Sequence, residues 1–315
     1  MRHKSSIDLR PIINTKCCRC DSDKRSQYIK NAACINALSM LDNLPVRCVG
    51  KWAYEKIYRL TNYFNIFAAG MKNKWDGLNY IEICSGPGRC VKREDGEEID
   101  GTAISILRQP AFDFIKKAIF IDNSKTVVDV LSKRVKEFDP HAKVCVVKGD
   151  YGDDKFIKEL LSRLTKRYLN LCFIDPTHCD VPFSTIKIIS ECIPNVDFII
   201  NVALGTDVAR NIAPSVISPS HEKARSKYIK FLGSDCDYFS REEVINYAKA
   251  GKDDELRRVF INDYIEQFVR LGFVHNKRVA VKHYYNLLFL SRSSKGLEFW
   301  EKANKISPDN QRELL

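Results

Sequence analysis

A chain of 315 residues with 44% hydrophobic and 29% charged residues is long enough for one large domain, and too apolar to stay disordered. No run of about 18 apolar residues occurs, and the opening MRHKSSIDLR carries no apolar signal segment, so a cytoplasmic protein without a membrane span is expected. The formal net charge of +11, from 51 Lys and Arg against 40 Asp and Glu, favours a polyanionic partner, of which nucleic acid is the commonest.

Residues 1–48 show no clear periodicity and form a basic, cysteine-rich segment. KCCRC offers Cys17 and Cys20 at a zinc-chelating spacing, and a four-ligand site would have to recruit Cys34 and Cys48. Free or buried thiols are the other reading of these cysteines. A basic arm of this kind can contact a phosphate backbone. From residue 52 to 72 apolar residues recur at helical spacing: Trp52, Ile57, Leu60, Phe64, Phe67. Strand-like and helical patterns then alternate. Strands are expected at 78–84, 118–122, 143–147, 169–175 and 196–202, with helices at 102–107, 124–138, 153–167 and 183–192. Cys145 and Cys172 fall singly inside apolar runs and read as reduced, buried thiols.

Five β-branched, apolar strands separated by helices predict a parallel sheet covered on both faces. Residues 203–270 read as a mainly helical insertion. GFVHNKRVAVKHYYNLLFLSR then leaves no room for a helix between two strands, so it should form an antiparallel hairpin on the sheet edge. The expected fold is a doubly wound, Rossmann-like α/β domain over 49–315, with a mostly parallel seven-stranded sheet and its last strand antiparallel.

In such sheets ligands bind at the carboxyl ends of the strands. The first strand ends in Glu82-Ile-Cys-Ser-Gly86-Pro87-Gly88, where glycine permits positive φ and close backbone approach. The second ends in Asp122, able to accept from two ribose hydroxyls; the third runs into Asp150 and Tyr151, suited to an adenine amino group and a stacking ring. The fourth ends in Asp175-Pro-Thr-His178. Each carboxylate also has a structural role open to it: Glu82 on the turn amides, Asp122 and Asp150 as helix caps, Asp175 as a turn former. No Walker loop and no Gly-x-Gly-x2-Gly fingerprint occurs. The series of acidic strand ends is similar to that of class I S-adenosylmethionine (SAM) methyltransferases.

Longer strings carry a closer resemblance. RCVGKWAYEKIYRLTNYFNIFAAGMKNKW, NYIEICSGPGRC, GEEIDGTAISIL, FIDPTHCDVPFSTI, DFIINVALGTDVARN and YYNLLFLSRSSKGLEFW, spread over residues 47–303, resemble the three-Cys-motif partner (TcmP) family. The resemblance implies a SAM-methyltransferase-like fold and a radical-SAM-type three-Cys-motif protein as partner. Asp175-Pro176 also resembles the Asp-Pro-Pro-Tyr motif of amino methyltransferases, with Thr177-His178 in place of Pro-Tyr. On this reading SAM is the cofactor, and Glu82, Gly86, Pro87, Gly88, Asp122, Asp150 and Tyr151 bind it. Asp175 would orient or deprotonate the acceptor, and His178 is either a general base or a polar residue at a helix start. Lys56, Arg89 and Arg210 would contact substrate phosphate or carboxylate groups. Two other functions fit the sequence: a non-catalytic partner subunit that binds a radical enzyme or presents nucleic acid, and a different nucleotide-dependent chemistry in the same pocket.

Overall fold

The computed structural model describes residues 37–139 and 142–305. Cys17, Cys20 and Cys34, and with them most of the expected metal set, lie outside the described residues. The main sheet has seven strands. They are β3 (Leu78–Ile83), β6 (Ile115–Asp122), β7 (Val144–Lys148), β8 (Leu169–Ile174), β9 (Val196–Val202), β10 (His275–Val281) and β11 (Tyr285–Ser291). Their order across the sheet is β10-β11-β9-β8-β3-β6-β7. β11 pairs antiparallel with both β9 and β10, and the remaining pairs are parallel. The last strand of the chain therefore slots between β9 and β10, which is the hairpin arrangement the short connection demanded.

β3, β8 and β9 are buried along their whole length, as their unbroken apolar runs require for strands covered on both faces. On one face lies helix α1 (Trp52–Met71), whose Leu60, Tyr63, Phe64, Phe67 and Met71 recur every three or four residues and are buried. Burial of each such side chain stabilises the fold by roughly 1.5–3 kcal/mol. Tyr63 meets Trp300 of the C-terminal helix (Ser294–Ala303) edge-on, with ring centroids 5.6 Å apart. The helices following β6, β7 and β8, at Lys125–Val135, Asp154–Leu161 and Phe183–Cys192, complete the crossovers. The first two are shorter than expected.

The 203–270 region is helical, with Ala209–Ile217, Glu222–Leu232, Glu242–Lys249 and Asp253–Arg270. An aromatic seam welds it to the sheet: Phe231 stacks on Tyr264 at 4.1 Å, Phe183 meets Phe268 edge-on at 5.2 Å, and Phe198 of β9 meets Phe273 at 5.3 Å. Among the described residues no helix is long and apolar enough to cross a membrane.

A second, four-stranded sheet was not expected. β1 (Ala37–Leu38), β2 (Pro45–Val49), β4 (Arg89–Lys92) and β5 (Glu98–Asp100) pair in that order. β2 runs parallel to β4, and the polar stretch after Gly88 folds as the β4–β5 hairpin. The expected boundary at residue 48 falls inside β2. Arg134 ties this sheet to the rest. Its buried guanidinium donates to Asp42 at 2.7 and 2.9 Å, and to the carbonyls of Pro45 at 2.8 Å and Pro87 at 2.7 Å. Arg134→Met removes those donors and leaves buried acceptors unpartnered. The expected loss is about 3 kcal/mol in urea unfolding; a loss below about 1 kcal/mol would contradict this anchoring role.

Candidate functional site

The turn after β3 departs sharply from extended backbone. Cys84, Gly86 and Gly88 have φ of 64°, 66° and 86°. Such values are natural for glycine and strained for cysteine. At Gly88 an added Cβ would lie 2.9 Å from Ile104 and Leu131, so glycine is also demanded by packing. Gly86 is different: an added Cβ would find only a guanidinium nitrogen of Arg47, at 3.7 Å, so its backbone faces open space.

That space is a cleft of about 550 Å³ at the carboxyl ends of β3, β8 and β9. Its walls come from β2 (Arg47 to Val49), the N-terminal part of α1 (Trp52, Lys56) and the turn Cys84–Gly88. Opposite these stand Gly101, Thr102, Asp175 through His178, Asn201, Thr206, Asp207, Arg210, Tyr284 and Tyr285. The size lies within the roughly 300–1,000 Å³ of ordinary small-molecule sites.

Asp175 anchors the floor. It is 6% exposed and accepts from Lys56 Nζ at 2.7 Å and 2.5 Å and from Asn201 Nδ2 at 2.8 Å. Two residues chosen for separate roles, Lys56 for substrate and Asp175 for catalysis, are thus one ion pair. Asp207, in the π-helical turn Leu204–Val208, gathers a second cluster. It accepts from Lys227 Nζ at 2.7 and 2.5 Å, from the Cys179 amide at 2.8 Å and from Asn211 at 3.0 Å. Burial pushes its carboxyl up, but the Lys227 pairing wins and holds it below its ordinary value. His178 Nδ1 stands 3.8 Å from Asp207, with the ring about one-third exposed to the cleft.

The other expected residues divide. Gly86, Pro87, Gly88 and Arg210 line the cleft; Glu82, Asp122, Asp150, Tyr151 and Arg89 do not. Glu82 is fully buried beneath the turn, accepting from Tyr80 Oη at 2.7 Å and from the Thr102 hydroxyl. Asp122 is half-buried; its two oxygens accept from the amides of Gly86 at 3.1 Å and Ser124 at 3.0 Å. Asp150 is exposed and closes a local turn onto the Gly152 amide at 2.8 Å. Tyr151 is half-buried, its hydroxyl against the Cys84 thiol. Arg89 bridges Asp42, Asp100 and Glu98 within the small sheet. Cys48 lies in β2, and no group of three or more potential metal ligands occurs among the described residues.

Arg47, Asn201, Thr206 and Asp207 were not singled out from the sequence. Only Asn201, a polar residue near the end of the apolar run VDFIINV, carried a signal that could have marked it.

No protein-family model matches the chain, and no curated protein does. Solved structures resemble it in parts. A candidate caffeoyl-CoA O-methyltransferase from Staphylococcus aureus matches over 72% of this chain and 82% of its own, at 11% identity and a TM-score of 0.37. The bifunctional kinase-methyltransferase WbdD matches over 75% of this chain and 38% of its own, at 10% identity and a TM-score of 0.40. A SAM-dependent methyltransferase from Clostridium acetobutylicum matches over 46% of this chain and 50% of its own, at 14% identity and a TM-score of 0.28.

Burial pushes the Glu82 carboxyl up to about 8, against the hydrogen bonds from Thr102 and Tyr80 that favour its charge. The folded state therefore binds more protons than the unfolded state between the ordinary carboxylate value and about 8, so stability falls as pH rises through that window. Asp197, raised to about 6, contributes only in the lower part. Glu82→Gln should flatten the decline between pH 6 and 8 in chemical denaturation; an unchanged slope would assign it to other groups.

Proposed function

We propose that this chain is a SAM-dependent methyltransferase that acts on a nucleic acid or a related anionic substrate. The observation that carries the reading is the coincidence, at the carboxyl end of β3 beside the point where strand order reverses, of an open glycine turn with a cleft ending on a fixed carboxylate.

The residues present fit the cofactor. Gly86 offers backbone with no side chain in the way. Arg47 brings positive charge to the wall where a carboxylate would lie. Asp122 lies outside the cleft and fixes its glycine backbone by accepting from the Gly86 amide. Bound SAM supplies a methyl group already activated on a sulfonium, leaving the protein to position the acceptor and receive a proton. Asp175, with Lys56 and Asn201 on it, is a positioning residue rather than a free base. His178, exposed to the cleft and beside Asp207, is the group placed to take the acceptor's proton.

The +11 charge supports a polyanionic acceptor and a cytoplasmic setting suits one. The resemblance to TcmP proteins supports a radical-SAM-type three-Cys-motif partner. One observation favours a second reading, in which the chain is a non-catalytic subunit: the carboxylate at the fourth strand end is already neutralised by Lys56.

Titration calorimetry separates these readings. SAM and S-adenosylhomocysteine should both bind, with dissociation constants between about 1 µM and 1 mM. Asp122→Ala, checked for folding, releases the Gly86 amide and should weaken both about tenfold. Binding with methyl transfer to tRNA, rRNA or DNA supports the enzyme, and binding without transfer supports the subunit. No binding at millimolar concentration would overturn the cofactor assignment.

A further inference from the structure

Asn201 and Thr206 line the cleft, and among the described residues two of their buried polar atoms, Asn201 Oδ1 and Thr206 Oγ1, have no partner. Asn201 is 2% exposed, and its orientation is not arbitrary. Its Nδ2 donates to Asp175, whose ionised carboxylate can only accept, so Oδ1 must be the atom left over. A buried acceptor without a donor is unfavourable by more than most hydrogen bonds contribute, and such groups concentrate where a ligand completes them. The missing complement is an N–H donor.

The same wall continues into an aromatic face. Gly205, next to Thr206, donates its amide to the Tyr284 carbonyl at 3.0 Å, and an added Cβ there would overlap His283 O at 1.7 Å. Tyr284, 40% exposed, packs on Trp52 with ring centroids 4.7 Å apart, and the Arg93 guanidinium lies 4.9 Å above the Trp52 ring. Charge around the cleft is unbalanced. Asp175 is paired with Lys56 and Asp207 with Lys227, which leaves Arg47, Arg93 and Arg210 against Glu94.

We propose that the acceptor end of the cleft takes an amino-bearing nucleobase of a nucleotide, with Asn201 Oδ1, assisted by Thr206, as the specificity-determining acceptor for its exocyclic N–H. The planar base uses the Trp52–Tyr284 face, and the arginines meet the phosphate; base–aromatic stacking beside a cationic wall is the usual chemistry of single-strand recognition. This inference rests on the methyltransferase reading only for which end of the cleft is the acceptor end. The discrimination itself belongs to this chain's own residues. Replacing the amino group by a carbonyl sets oxygen against oxygen at Oδ1, so inosine and uridine nucleotides should be rejected relative to adenosine and cytidine nucleotides.

The test measures binding of AMP, CMP, IMP and UMP to the full chain, with and without S-adenosylhomocysteine. AMP should bind about tenfold or more tighter than IMP, or CMP than UMP. Asn201→Leu should abolish that ratio. Thr206→Val, nearly isosteric and without a hydrogen bond to lose among the described residues, should reduce it while leaving the unfolding transition in place; it keeps the test decisive if Asn201→Leu does not fold. Equal binding of all four, binding of none at millimolar concentration, or a ratio unchanged in Thr206→Val and in folded Asn201→Leu would overturn the proposal. S-adenosylhomocysteine binding with no nucleotide discrimination removes this inference alone, whereas discrimination without S-adenosylhomocysteine binding removes the cofactor reading alone.

Discussion

The buried pairing of Asp175 with Lys56 is the constraint around which the cleft is arranged. A carboxylate taken out of water is costly unless a partner compensates it, and the compensation here comes from a lysine 119 positions earlier in the chain. The contact fixes the first turn of α1 over the carboxyl ends of β3 and β8. It also settles the amide of Asn201 one strand further along, since a carboxylate accepts only from Nδ2. One charge thereby positions a helix, a strand-end turn and an unpartnered carbonyl oxygen. The arrangement makes Asp175 a fixed, paired carboxylate in the wall, while the His178 ring is partly exposed to the cleft.

A second unit supports the first from the opposite wall. The turn after β3 needs three residues at positive φ, one of them a cysteine, and such a backbone persists only where its surroundings over-determine it. Three contacts do so here. Gly88 packs against Ile104 and Leu131, the Pro87 carbonyl is caught by Arg134, and the Gly86 amide donates to Asp122. Glu82 lies beneath the turn and joins it to the first residue of the helix Thr102–Leu107 through the Thr102 hydroxyl. Glu82 and Asp122, which the strand-end pattern assigned to ligand contact, lie outside the cleft and hold its glycine backbone in place.

The main sheet was legible because its central strands β3, β8 and β9 are buried on both faces and written as continuous apolar runs, and because YNLLFLS follows HNKRVAV too closely for a crossover. The small sheet was not legible. Its strands are two to five residues long, β4 and β5 are rich in charge, and β2 finds its parallel partner some forty residues away. Arg89 looked like a phosphate contact because its carboxylate partners in that sheet could not be foreseen. Gly86 and Gly88 were identifiable from local turn chemistry. The Lys56–Asp175 and Lys227–Asp207 pairs were not, since a long-range ion pair leaves no periodic trace. Helix lengths after β6 and β7 were overestimated because apolar residues at helical spacing, Phe138 and Leu164, continue the pattern in the turns beyond the helix ends and still pack on the core.

The most direct measurement of this account is a double-mutant cycle on unfolding free energy with Lys56→Met, Asp175→Asn and the double variant. Each single change should leave one largely buried polar group uncompensated and destabilise strongly. The double variant should recover part of the loss, with a coupling of about 1.5–3 kcal/mol. Additive effects, with coupling below about 0.5 kcal/mol, would contradict it: the pair would then not organise the cleft, and Asp175 would be available as a free base.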